Sequence, residues 1–230
     1  LKRIERICFP LKVVFIPLET KELNKFDLKS HPDIIAAVCG KTVFHCSGLK
    51  QKIIKKIRQY GIETIKGNNV LKEEYPYDAH YNCLIVKNKF LLHKLKITDP
   101  VILNFVRDNN LRCINVAQGY TRCSVLPVDR ESFITDDESI YRTLLKLNYN
   151  VCKVQKGSIA LKGYKYGFIG GASGKIENKI LFFGNIKKHP SYDLIFNFIK
   201  SRGKHIISLG NNCLEDFGSM HVFILDLDRQ

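Results

Sequence analysis

Tryptophan is absent from this sequence and methionine occurs once, so any core must be built from aliphatic residues, phenylalanine and tyrosine. None of the eight cysteines forms a CxxC pair, which argues against the common zinc and redox motifs and leaves mostly reduced, apolar core thiols. No apolar run approaches the roughly 20 residues of a membrane-spanning helix, and no signal-peptide pattern is visible. Together these absences predict a cytoplasmic protein without a membrane partner. Acids are scarce: 22 Asp and Glu against 37 Lys and Arg give a formal charge of +15. Such a charge admits a nucleic-acid or ribosomal partner. The lysines are spread along the chain, however, and the densest cluster, Lys50 to Arg58, shares its stretch with an apolar face. Charge alone gives no mechanism for reading a base sequence, so a solvated surface is the preferred reading.

A repeat is present. Four short β-rich runs each end near glycine: Ile62 to Lys66 before Gly67, Cys113 to Ala117 before Gly119, Val151 to Gln155 before Gly157, and Ile206 to Leu209 before Gly210. Gly67-Asn68-Asn69-Val70-Leu71 and Gly210-Asn211-Asn212-Cys213-Leu214 match closely, and each is followed by acids. An amphipathic helix precedes each run. Leu49, Ile53 and Ile57 share a face and stop at Gly61; Asp99 and Pro100 open the second helix; Asp136 or Asp137 opens the third; Pro190 and Ser191 open the fourth, closed by Gly203.

A hairpin precedes each helix, with turn residues between strands. Ile34 to Val38 pairs with Thr42 to His45, Cys83 to Val86 with Phe90 to His93, Cys123 to Leu126 with Ser132 to Thr135, and Phe168 to Ser173 with Ile180 to Phe183. The strand–strand–helix–strand unit returns about every 40 to 50 residues, a period typical of repeat architectures. A fifth unit is incomplete: Met220 to Leu227 is a lone apolar strand, which Val13 to Pro17 can complete to close a ring without sheet edges.

Five ββαβ units in one domain, residues 1–230, resemble the pentein fold of the guanidino-group-modifying enzymes, an α/β propeller with pseudo-fivefold symmetry. Phe168-Ile169-Gly170-Gly171-Ala172-Ser173 resembles that family's Gly-Gly segment, with Ala172 where an acid often stands. Gly218-Ser219-Met220-His221-Val222 is similar to the Gly-x-x-His-Cys segment of agmatine deiminases, with Val222 in the place of cysteine. The resemblance implies a central pocket for a small guanidino- or amino-acid-like ligand, and amidine or guanidine hydrolysis or transfer as the activity. A valine cannot form the covalent amidino-enzyme intermediate, so the nucleophile would have to stand elsewhere.

Aligning the units brings His31, Asp33, His80, Asn82, Arg122 and Ser219 toward one axis, with Asp78, Asp216 and His221 nearby. Asp33, Asp78 and Asp216 can accept hydrogen bonds from a planar cation, Arg122 can grip a carboxylate, and the histidines can move protons near neutral pH. Each has a structural alternative: Asp33 as a turn acceptor, Arg122 as a partner of Asp129, His221 as a buried structural histidine. Cys123 and Cys213 are the substitute thiols. Strand alternation argues against Cys123, since Arg122 and Cys123 would face opposite sides. Neither a cofactor nor a metal is expected, because no histidine pair has helical ligand spacing.

Overall fold

Two strands, a helix and a third strand recur four times in the computed structural model, which describes residues 2–9, 12–24 and 26–225. The first unit comprises β1 (Ala36–Cys39), β2 (Thr42–His45), helix Gln51–Arg58 and β3 (Glu63–Lys66). The second has β4 (Leu84–Val86), β5 (Phe90–His93), helix Pro100–Asp108 and β6 (Arg112–Asn115). β7 (Val125–Pro127), β8 (Ser132–Thr135), helix Glu138–Lys146 and β9 (Asn150–Lys153) form the third. The fourth has β10 (Ser173–Ile176), β11 (Lys179–Phe182), helix Tyr192–Ser201 and β12 (His205–Ser208). Every unit is its own three-stranded sheet, with the second strand central, antiparallel to the first and parallel to the third.

The punctuation seen in the sequence explains the boundaries. Asp99 Oδ1 accepts from the Val101 amide at 2.9 Å and Asp137 Oδ1 from the Ile140 amide at 3.0 Å, the side-chain caps that satisfy orphan helix donors. Gly61 and Gly203 take φ of +69° and +66° just beyond their helices, where a Cβ would be strained. The central strands are buried along their whole length apart from Lys179, so they read as apolar runs rather than as alternations. First strands face one another between units, β1 against β4 and β7 against β10.

Two expectations are corrected. The strands expected over Ile34–Val38, Cys123–Leu126 and Phe168–Ser173 start later, because a tight turn precedes each. Pro32–Ile35 and Thr121–Ser124 are single helical turns, and β10 begins only at Ser173. Proline at the first helical position suits the first of them, and His31 accepts through its carbonyl from the Ile34 and Ile35 amides. Among the described residues, moreover, neither Val13–Pro17 nor 220–225 is a strand and no fifth sheet forms; Asp226 and Leu227 lie outside them. The chain ends dock through side chains instead. Val13, Phe15 and Met220 pack with Ile176 and Leu181 of the fourth unit, while Ile16, Leu18, Phe223 and Leu225 pack on the core of the first. No helix among the described residues is long and apolar enough to cross a membrane.

Candidate active site

Because the first strand of each unit is antiparallel to the other two, residues just before it gather at the end where the second and third strands finish. Asn82 precedes β4, Arg122 and Cys123 precede β7, and Gly170 and Gly171 precede β10, while His31 and Asp33 lie just ahead of β1. These segments join the segment Asp216–His221 in a circle of contacts. Asn82 Oδ1 accepts from the Arg122 and Cys123 amides at 3.0 and 3.1 Å. The Gly171 amide donates to the Cys123 carbonyl at 2.9 Å, and the Ser219 amide donates to the Gly171 carbonyl at 2.9 Å. Ser219 Oγ then donates to Asp33 Oδ1 at 2.6 Å, and β1 lies beside β4.

Within that circle Cys123 Sγ is the central atom. It lies 3.0 Å from Asn82 Nδ2, 3.4 Å from His31 Nε2 and 3.5 Å from Asp33 Oδ2. His31 Nε2 is also 3.4 Å from Asp216 Oδ1. Asp216 is held by the Phe168 and Gly218 amides, both at 2.9 Å. On Asp33, Oδ1 further faces His221 Nε2 at 3.4 Å and Arg122 Nε at 3.9 Å. His31, Asp33, Asn82, Cys123, Asp216 and Ser219 are all buried, Asp33 and Asn82 completely. Arg122 is the only permanent cation among the described residues within 4.0 Å of either carboxylate.

The electrostatics follow from that burial. Desolvation, reinforced by Asp33 and Asp216, pushes the Cys123 thiol well above its ordinary value, so the resting group is a neutral thiol. Burial also raises Asp216, against the opposing pull of His31. Burial drives His221 down to about 4, although Asp33 favours its protonated form. Two close-packed loops make the geometry possible. A Cβ on Gly171 would collide with the Asp216 carboxylate, and one on Gly218 would stand 2.6 Å from the His31 ring. Ser219 sits at φ +58°, a sparsely populated conformation for a residue other than glycine, which its bond to Asp33 and its amide bond to Gly171 hold in place.

The structure thus gathers His31, Asp33, Asn82, Arg122, Asp216, Ser219 and His221 into one cluster. It does not bring His80 there: Nδ1 is bonded to the Ile97 carbonyl at 2.7 Å. The Tyr120 hydroxyl, one residue before the helical turn that carries Cys123, donates to the Asp78 carboxylate and lies 2.9 and 2.8 Å from its two oxygens. Arg122 bonds the Val125 carbonyl and faces Asp33 rather than pairing with Asp129. Strand alternation does not set Arg122 and Cys123 on opposite sides, because residues 121–124 are a helical turn. Cys213 is exposed and contributes only a backbone carbonyl beside Gly184. Val222 lines a cavity of about 270 Å³ with Arg122, Lys175 and Met220. His31, Cys123 and Asp216 also present one metal-ligating atom each, all within 4.8 Å of one another, a combination that sequence spacing alone concealed.

A family model described as "Family of unknown function (DUF6873)" matches residues 8–221. No curated protein matches the sequence. Similar solved structures include a mutant DDAH from Pseudomonas aeruginosa complexed with citrulline, 6% identical over 78% of this chain and 70% of that one, with a TM-score of 0.47. The C. jejuni agmatine deiminase is 10% identical over 75% of this chain, with a TM-score of 0.48; this chain spans 64% of it, less than two thirds of its length. The inosamine-phosphate amidinotransferase StrB1 of Streptomyces griseus is 9% identical over 83% and 68% of the two chains, with a TM-score of 0.46. All three are members of the pentein superfamily.

Proposed function

The chain belongs to this family of unknown function, and we propose that its axial cluster binds a small guanidino- or amino-acid-like ligand on which Cys123 acts as nucleophile, in an amidine hydrolase or amidino-transfer reaction. In this reading the four sheets and the docked chain ends are a pentein-like five-bladed ring, and the circle of hydrogen bonds is its hub. The observation that carries the proposal is the placement of Cys123 Sγ between two buried carboxylates, Asp33 and Asp216, with His31 within reach.

Two buried carboxylates disfavour a thiolate and favour a planar cation, whose N–H groups can bond to both. The positive charge of the ligand therefore does two things: it satisfies Asp33 and Asp216, and it lowers the thiol pKa. The thiol proton passes to His31 Nε2 and the sulfur adds to the amidine carbon. The C–N bond to the departing amine then breaks as His31 returns the proton to that nitrogen. Water, or an acceptor amine in a transferase, releases the amidino group from sulfur. Asn82, which donates to Sγ and holds the Cys123 amide, orients the nucleophile.

Calorimetric titration with arginine, agmatine and methylated arginines, followed by intact-mass measurement, tests the proposal. Heat with at least one ligand and an adduct lost in Cys123→Ser are expected; no heat with any of them and no adduct would overturn it. A second reading is favoured by the burial of Cys123 and the charge of +15. In it the cluster only ties the ring together, and the basic surface contacts RNA or a ribosome. RNA association that weakens steeply with salt, unaffected by Cys123→Ser, would favour this second reading.

A further inference from the structure

A cavity of about 710 Å³ is lined by none of Asp33, Asn82, Cys123 or Asp216. Its wall is built where the loop after β6, the start of the third helix and the end of β9 meet, including Tyr75, Gln118, Asp136, Lys153 and Lys156. Three acids and two lysines stand there, and most have partners. Asp137 accepts from the Ile140 amide, from Ser139 Oγ and from Gln118 Nε2. Glu138 is paired with Lys153 and with Arg142. The Lys156 ammonium lies over the Tyr166 ring, 5.3 Å from its centre. Asp136 is left over. It is 6% exposed, and its Oδ1 is buried with no hydrogen-bond partner.

A buried carboxylate with an unused acceptor is expensive unless something compensates it. We propose that this cavity is a second ligand site, in which Asp136 receives the ammonium or amidinium head of a small organic cation. Asp136 lines the cavity, and Val154 and Tyr75 in the same wall give the body of the ligand an apolar surface. Asp136 follows β8 directly, so a rigid buried strand positions it and little is lost in ordering the site. Burial raises its pKa to about 6; Lys156 opposes the rise, while Asp137 and Asp216 add to it. Binding of a cation should therefore strengthen as pH rises through about 6, with Lys153, Lys156, Asp137, Glu138 and Asp216 the charged groups around it.

The test is an NMR titration of the full chain with benzamidine and with n-butylamine, following the amides of Gln118, Gly119, Gln155 and Lys156. Saturable shifts at these amides are expected, weakened about tenfold or more in Asp136→Asn, as befits loss of a charged hydrogen-bond acceptor. The same shifts should persist in Asp33→Asn, which separates this site from the Cys123 cluster. Shifts abolished by Asp33→Asn but not by Asp136→Asn, or no saturable shift at all, would overturn the proposal. So would tighter binding of inorganic phosphate in Asp136→Asn, which would make this an anion site of Lys153 and Lys156. If Asp136→Asn does not fold, the pH series on the unaltered protein decides, with affinity unchanged between pH 5 and 8 counting against the site.

Discussion

Gly171 illustrates how little room the Cys123 cluster leaves. Its hydrogen faces the Asp216 carboxylate, so Gly171→Ala should push Asp216 off the Phe168 and Gly218 amides and away from His31. We expect ligand heats to vanish and stability to fall by about 2–3 kcal/mol, read from chemical denaturation. Asp136 should behave in the opposite way. Its folded pKa of about 6 lies above its unfolded value, so the folded state binds the extra proton and its favourable contribution is lost as pH rises through about 6. Asp136→Asn should therefore stabilise the protein by about 1–3 kcal/mol at pH 8, with the gain vanishing below about pH 4. Melting temperatures of both proteins at the two pH values check this. Such a gain would mark Asp136 as a residue kept for binding rather than for folding. Much of the Cys123 cluster is legible in the sequence because aligned repeats place equivalent residues together, as His31, Asp33, Asn82 and Ser219 attest. The thiol is not, since a helical turn of four residues has no periodicity to read and strand alternation was the wrong rule for it. His80 shows the converse: repeat alignment finds the position but not the Ile97 carbonyl that occupies its ring.

Among the elements, the helices were the most legible, because Asp99, Pro100, Asp137, Gly61 and Gly203 are local signals acting on neighbouring amides. The sequence does not reveal that one cap serves two units. Asp99 Oδ1 caps its own helix, while Oδ2 accepts from the Asn68 and Asn69 amides at 2.9 and 2.7 Å and from the Tyr81 hydroxyl at 3.1 Å. This wholly buried carboxylate fastens the loop after β3 to the second unit. Asp99→Ala would strand the Asn68 and Asn69 amides, while the Tyr81 hydroxyl keeps its 2.7 Å bond to the Asn69 carbonyl, so the expected loss is about 3–5 kcal/mol, beyond the roughly 1 kcal/mol of an ordinary cap. Urea unfolding measures the difference; a loss near 1 kcal/mol would mean that the loop finds other partners. The terminal segments were legible as apolar but not as irregular, because side-chain docking and strand pairing draw on the same residues.

For the whole molecule, two buried histidines set the acid limit. His93 is held neutral between Thr98 Oγ1 and the Gly119 carbonyl, both at 2.7 Å, and burial lowers it and His221 to about 4. Both folded values lie below the unfolded one, so their contribution is complete above about pH 6.5 and is lost as pH falls through about 4. Each can contribute at most about 3 kcal/mol to that loss, while Asp136 offsets part of it. Far-UV circular dichroism melts from pH 7 to pH 4.5 should show the midpoint falling, and less steeply in His93→Gln if that variant folds. A further consequence lies in the bond between Ser219 and Asp33, which spans 186 positions of the chain. During synthesis Asp33 emerges early and waits, with four units able to form around an unfinished hub. Under the proposed function, a product truncated before Asp216 would carry the Cys123 thiol without Asp216 and Ser219 and should form no adduct with an amidine.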